Sequence, residues 1–168
     1  MTEGNRPPSA FEAYWTAYGG TGRLLTSAYL QLSLAAPLLL WPAWQIDDQL
    51  SYAPWVDIAL QVLPSITSVS LGALAIILSL SSGTFLKVIQ QSGRDDSLFM
   101  KMIATFFHFI LVQFLCIFLA IFCLFWTLVP ISFLGFWLFS YSLASGVAAA
   151  ANLVGLALLK NKATSLEE

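Results

Sequence analysis

Four long stretches of this chain contain no Asp, Glu, Lys or Arg. They are Leu24–Trp44, Ile58–Ser82, Met102–Trp126 and Ile131–Leu159, and every charged residue of the 168-residue chain lies outside them. Charged residues make up only 10% of the chain, against about 25% in a typical soluble domain. Because a soluble fold must cover its surface with polar side chains, these stretches argue against a soluble enzyme, a nucleic-acid-binding protein and a disordered chain.

Each stretch is long enough to cross a membrane as a helix. About 20 apolar residues at about 1.5 Å rise cross a hydrocarbon core of about 30 Å, and the shortest stretch has 21 residues. We therefore predict an all-α, polytopic membrane protein with one membrane domain and four transmembrane helices. The predicted order is an N-terminal interfacial segment (1–23), a first span (24–44), a periplasmic loop (45–57), a second span (58–82), a cytoplasmic loop (83–101), a third span (102–126), a periplasmic turn (127–130), a fourth span (131–159) and a cytoplasmic tail (160–168).

The basic residues predict the orientation of these spans. All seven Lys and Arg residues lie before the first stretch, between the second and third, or after the fourth. The loop 45–57 instead carries Asp47, Asp48 and Asp57 and no basic residue. Since loops rich in Lys and Arg stay on the cytoplasmic side, we expect both termini to be cytoplasmic and the protein to lie in the inner membrane.

The segment before the first span has a pattern of its own. Phe11, Tyr14, Trp15 and Tyr18 fit one face of a short helix, and the pair Gly19–Gly20 follows them. Helices commonly end at a glycine in the left-handed backbone conformation. A helix face made of aromatic side chains favours the headgroup layer of a membrane. We expect a short interfacial helix here.

Three polar residues fall at one predicted depth. Gln31 is eight residues from Arg23, His108 seven from Lys101, and Asn152 eight from Lys160. At about 1.5 Å per residue, all three lie about 10–12 Å inside the bundle. They predict a polar layer across three helices. Its role is either to join the helices by hydrogen bonds or to form a pH- or solute-sensing site around His108.

Small residues on the fourth span predict a helix-packing face. Its members, at spacings that favour close approach of helices, are Ser142, Gly146, Ala149, Ala151 and Gly155. The face can pack within one bundle or form a contact between subunits. On the cytoplasmic side, Lys87, Arg94 and Lys101 form a candidate docking surface that also suits anionic lipid.

The chain offers no catalytic arrangement that we recognise. It has one histidine and two cysteines, and none of the four stretches contains a carboxylate. We expect no enzyme activity, no cofactor, no bound metal and no direct nucleic-acid binding. The leading hypothesis is an oligomeric sensor or scaffold in the lipid bilayer that acts with a cytosolic protein. The alternatives are a small oligomeric channel or transporter, and an immunity protein against a membrane-targeting or periplasmic toxin.

Two segments, YWTAYGGTGRLLTSAY (14–29) and FFHFILVQFL (106–115), resemble recurring features of small four-helix membrane proteins of bacteria. In its four predicted spans, short loops and lack of an enzyme motif, the chain is similar in architecture to the membrane subunit of the Kiwa anti-phage defence system. That resemblance implies a subunit that senses infection at the inner membrane and acts with a cytosolic DNA-binding partner. It carries over no functional residue to this sequence.

Overall fold

A computed structural model describes residues 9–47, 51–80, 89–91, 94 and 97–164 of the chain. These residues are mostly helical, and no strand occurs among them, which confirms the predicted all-α class. The helices are α1 (Ala10–Tyr18), α2 (Gly20–Leu25), α3 (Ala28–Ser33), α4 (Ala35–Leu39), α5 (Trp41–Trp44), α6 (Trp55–Leu80), α7 (Leu98–Phe125) and α8 (Val129–Thr164).

Three of these helices are long and apolar enough to cross a membrane. The segments concerned are Trp55–Ser79 in α6, Leu98–Phe125 in α7 and Val129–Gly155 in α8, with mean hydropathies of 1.9, 2.6 and 1.4. They match the second, third and fourth predicted spans. Helix α7 begins four residues before its predicted start because Ser97 caps it, accepting a hydrogen bond from the Met100 N–H.

The prediction of a fourth long helix, over 24–44, is wrong. This segment consists of the short helices α2 to α5, with breaks at Thr26–Ser27, Leu34 and Leu40. Proline lacks the N–H of a helical hydrogen bond, and its ring clashes with the carbonyl four residues earlier. Pro37 therefore disrupts the helical turn that contains the break at Leu34, and Pro42 disrupts the turn that contains the break at Leu40.

The broken segment nevertheless packs against α8. The Trp137 indole donates to Ser33 Oγ (3.1 Å), and Ser132 Oγ donates to the Trp44 carbonyl (2.7 Å). The Trp44 indole donates to the Pro37 carbonyl (2.7 Å). The bonds to the Trp44 and Pro37 carbonyls give partners to backbone groups of the broken segment in an apolar environment.

Helix α7 is the centre of the bundle. It packs against α6 on one side and α8 on the other, while α6 and α8 make few contacts with each other. At one end of the bundle, Trp55 is fully buried over Gly135 and donates to Ser132 Oγ (3.0 Å). Eleven residues further along α8, the Phe109 ring lies against Gly146. Glycine at both places lets a large ring reach the α8 backbone.

Candidate functional site

Helix α1 is defined by local signals at both of its ends. At its start, the Ser9 N–H donates to Glu12 Oε2 (2.7 Å) and the Glu12 N–H donates to Ser9 Oγ (3.2 Å), a capping box. Hydrogen bonds from the Ser9 backbone and side chain to the carboxylate of Glu12 lower the pKa of Glu12. At its end, Gly19 adopts φ +100°, which glycine tolerates without strain. A short helix is therefore present where the aromatic pattern predicted one; its location at a membrane surface stays a prediction.

A buried histidine joins α1 to two of the long helices. The Tyr14 hydroxyl lies 2.8 Å from His108 Nδ1, and the Tyr141 hydroxyl lies 2.7 Å from His108 Nε2. All three side chains are buried. Tyr14 belongs to α1, His108 to α7 and Tyr141 to α8, so one imidazole ring links three helices. We call this arrangement the Tyr14–His108–Tyr141 clasp.

The clasp has two alternative hydrogen-bonding patterns. A neutral imidazole donates from one ring nitrogen and accepts at the other. One tyrosine hydroxyl therefore donates to His108 while the other accepts from it, and a change of tautomer reverses both roles. Burial, with a smaller contribution from Tyr18, raises the pKa of Tyr14 to about 12, so its hydroxyl keeps its proton at neutral pH. The clasp can thus hold or reorient a proton without any bond being lost.

Aromatic rings enclose the clasp. The Tyr18 ring stacks on the His108 ring with centroids 4.3 Å apart, and the Phe107 ring meets Tyr14 edge-on at 4.9 Å. Tyr18 also interacts with the Tyr141 hydroxyl. These contacts hold the imidazole in an apolar setting, where hydrogen bonds are stronger than in water.

The predicted polar layer of Gln31, His108 and Asn152 does not form as a hydrogen-bonded set. In the described part of the chain, no hydrogen bond joins Gln31 or Asn152 to His108. Gln31 is exposed, and its Nε2 donates to the Leu25 carbonyl at 3.4 Å. Asn152 is exposed and lines a cavity with Lys101. His108 alone is buried, and the two tyrosines take the places predicted for the amides.

A second polar pair lies deeper in the bundle. Gln113 and Ser142 are fully buried, and neither the Gln113 amide nor Ser142 Oγ has a hydrogen-bond partner among the described residues. Helices α7 and α8 are antiparallel, and Phe109 lies against Gly146. Gln113 is one turn further along α7 and Ser142 one turn back along α8, so they lie on the same faces of these helices as Phe109 and Gly146.

The predicted packing face on α8 divides into two parts. Ser142 and Ala149 are buried, and Gly146 lies under the Phe109 ring, so these three pack within the bundle. Ala151 and Gly155 are exposed and line a cavity, and a side chain at Gly155 would meet no atom within 4 Å. Of the predicted docking residues, Arg94 and Lys101 are exposed, while Lys87 lies outside the described residues.

In the described part of the chain, no group of three or more His, Cys, Asp or Glu side chains is arranged to hold a metal ion. Cys116 and Cys123 are buried and free.

Comparison with protein-family models, curated proteins and solved structures finds no match to this chain. The clasp between α1 and the long helices is therefore the candidate functional site.

Proposed function

We propose that this protein is a non-enzymatic membrane subunit that senses a change at the membrane and transmits it to a cytosolic partner, in defence against phage. The clasp is the observation that carries the proposal. Only Tyr14 and Ala17 of the nine residues of α1 are buried, so the apolar contact that holds this helix is small. The hydrogen bond between Tyr14 and His108 therefore contributes to the docking of α1, while the bond between His108 and Tyr141 fixes the imidazole that receives it. A helix held in this way can be released by a modest change in its surroundings.

The released helix is suited to binding a partner. Phe11 is 60% exposed, and it stacks with the half-buried Trp15. Exposed aromatic side chains are common anchors in protein interfaces. In this proposal the docked and released states of α1 present different surfaces to a cytosolic protein, and the membrane bundle sets the balance between them.

The proposal includes a placement in the inner membrane with four crossings and both termini in the cytoplasm. The broken segment from Arg23 to Trp44 contacts α8 from the level of Asn152 to that of Ser132. Those 20 residues of helix correspond to about 30 Å, the thickness of a hydrocarbon core. Broken helices cross membranes where neighbouring groups satisfy the freed backbone. The basic residues at the α1 end of the bundle support a cytoplasmic location for that end.

Phage plating tests the proposal. The gene is expressed with its native flanking genes in a bacterial host, and phages are plated on wild-type, deletion, Tyr14→Phe and Tyr52→Phe strains. Tyr52 is the matched control because its hydroxyl bonds Asp57 at the other end of the bundle. We expect reduced plating with the wild type and Tyr52→Phe, and normal plating with the deletion and Tyr14→Phe. The proposal fails if plating is the same in all four strains at equal protein levels, or if no flanking gene product copurifies with the membrane subunit.

A small oligomeric channel is a second candidate, favoured by Gln113 and Ser142. Buried polar side chains without partners commonly face water within a membrane bundle. The test is ion or solute flux in proteoliposomes, with Gln113→Leu as the variant and Gln31→Leu as the exposed control. Flux that Gln113→Leu abolishes and Gln31→Leu preserves would favour the channel, and no flux above protein-free liposomes would exclude it.

A further inference from the structure

A cavity opens at the α1 end of the bundle between α2, α7 and α8. It has a volume of about 430 Å³. A neighbouring cavity of about 310 Å³ shares four of its lining residues, namely Arg23, Thr105, Ala151 and Asn152. We call the two together the Arg23–Lys101 cavity. Its walls contain both charged and apolar side chains, which is the combination that an amphiphile requires.

The charged part of the cavity favours an anion. Arg23 and Lys101 both line it, together with Asn152 and with Thr105, whose hydroxyl donates to the Lys101 carbonyl. No acidic residue lines either part of the cavity among the described residues. Arg23 and Lys101 form no ion pair in the described part of the chain. Arginine and lysine bind phosphate groups well, arginine through a planar pair of N–H donors.

The apolar part of the cavity is a shallow surface of small residues. Ala151 and Gly155 on α8 form its floor, and Leu98 and Met102 on α7 form its wall. The space over Gly155 is open to at least 4 Å. An acyl chain can lie along such a surface, whereas a free phosphate ion gains nothing from it. This pairing of a cationic site with an apolar one favours a lipid over a soluble anion.

The cavity also lies at the depth of a lipid headgroup. Arg23 directly precedes the charge-free stretch that begins at Leu24, and Lys101 directly precedes the one that begins at Met102. Basic residues at this position in membrane proteins meet the phosphates of the bilayer. Two helices therefore bring one cation each to the same cavity at the same level.

We propose that the Arg23–Lys101 cavity binds an anionic phospholipid. The phosphate accepts hydrogen bonds from Arg23 and Lys101, with the Asn152 amide as a further donor. One acyl chain lies over Ala151 and Gly155. This inference does not depend on the defence role proposed above, because it rests on the cavity and its charges alone.

Lipid retention measured by native mass spectrometry tests this proposal. The purified full-length protein in detergent is titrated with dioleoylphosphatidylglycerol, with dioleoylphosphatidylcholine and with inorganic phosphate. We expect phosphatidylglycerol to bind more tightly than phosphatidylcholine. The doubly substituted R23Q/K101Q protein should lose about thirtyfold in affinity for phosphatidylglycerol, about fivefold for each basic residue.

Two further variants separate charge from shape. Lys160→Gln removes one exposed cation that lines neither part of the cavity, and it should bind phosphatidylglycerol like the wild type. Gly155→Leu fills the apolar part without changing charge and should weaken binding of the lipid. Each variant is first checked for the wild-type helical content by circular dichroism.

Three results would overturn the proposal. The first is equal affinity for the two lipids, and the second is unchanged binding in both R23Q/K101Q and Gly155→Leu. The third is binding of inorganic phosphate that fully displaces the lipid and is insensitive to Gly155→Leu, which would make the cavity a site for a soluble anion.

Discussion

Replacing Tyr14 by phenylalanine should release α1 from the bundle without altering the shape of its contact. The substitution removes the hydroxyl that lies 2.8 Å from His108 Nδ1 and leaves that nitrogen without its partner. The phenyl ring keeps the edge-on contact with Phe107 and the proximity to Tyr18. The variant therefore isolates one hydrogen bond.

The size of the effect follows from the burial of the clasp. Interhelical hydrogen bonds in membrane proteins contribute about 0.6 kcal/mol on average and up to about 1.7 kcal/mol. A buried acceptor or donor left without a partner costs about 1–3 kcal/mol. His108 is buried within its ring of aromatic side chains, so we expect a loss of about 1–2 kcal/mol in the docking of α1. That loss raises the fraction of released helix by about 5- to 30-fold.

Hydrogen exchange of the α1 amides in lipid nanodiscs measures this release directly. Exchange across Ala10–Tyr18 should be faster in Tyr14→Phe and in His108→Phe, and unchanged in the control Tyr52→Phe. The double variant Tyr14→Phe/His108→Phe should lose less than the sum of the single losses, because the two single changes remove the same bond. Unchanged α1 exchange in both single variants would refute the clasp as the element that holds this helix, and strictly additive losses would refute the direct bond.

Two further predictions concern packing and pH. Gly135→Ala should lower the free energy of unfolding by about 1–3 kcal/mol, because the new Cβ would lie 2.5 Å from two ring atoms of the buried Trp55. In the control Gly72→Ala, the added methyl meets nothing within 4 Å, so the free energy of unfolding should stay unchanged or rise by up to about 1 kcal/mol. Unfolding by SDS, followed by circular dichroism, compares the two variants. Equal stabilities would contradict the packing of Trp55 on Gly135. Because burial raises the pKa of Tyr14 from 10.0 to about 12, docking of α1 should be fully present below pH 10 and be lost as the pH rises from 10 towards 12. Ultraviolet titration of tyrosinate, with Tyr14→Phe subtracted, checks this and should show one tyrosine that ionises well above 10.

Hydropathy predicted the three long helices well because length and apolar character are sums over a stretch and do not depend on backbone detail. The same sum fails over 24–44, where the composition is apolar but the backbone is broken. Pro37 lies in the middle of that stretch, yet proline occurs within intact membrane helices too, as Pro64 does in α6. Whether a proline breaks a helix depends on the tertiary neighbours of the segment, which here include Trp137 at the Ser33 hydroxyl and Ser132 at the Trp44 carbonyl. These partners are 104 and 88 residues apart in sequence, and no local pattern reveals them.

The depth calculation placed His108 among polar partners but selected the wrong ones. It assumed that the charge-free stretch on α8 ends at the membrane boundary near Lys160. In the structure Tyr141 lies opposite His108, and Asn152 lies 11 residues beyond Tyr141, about 16 Å further along α8. Asn152 therefore shares a cavity with Lys101. The partner from α1 could not be found by counting along the spans at all, since α1 precedes them.

The clasp and the cavity meet at Tyr18, which gives the two proposed properties a common physical origin. The Tyr18 ring stacks on His108 with centroids 4.3 Å apart, and the Arg23 guanidinium carbon lies 6.0 Å from the centroid of the same ring. Tyr18 and Arg23 also line the smaller part of the cavity together. Tyr18 is the last residue of α1, so release of α1 withdraws one ring from both places. A ligand that binds Arg23 more tightly with Tyr18 in place favours the docked helix, and because coupling between two sites is reciprocal, the docked helix favours that ligand by the same factor.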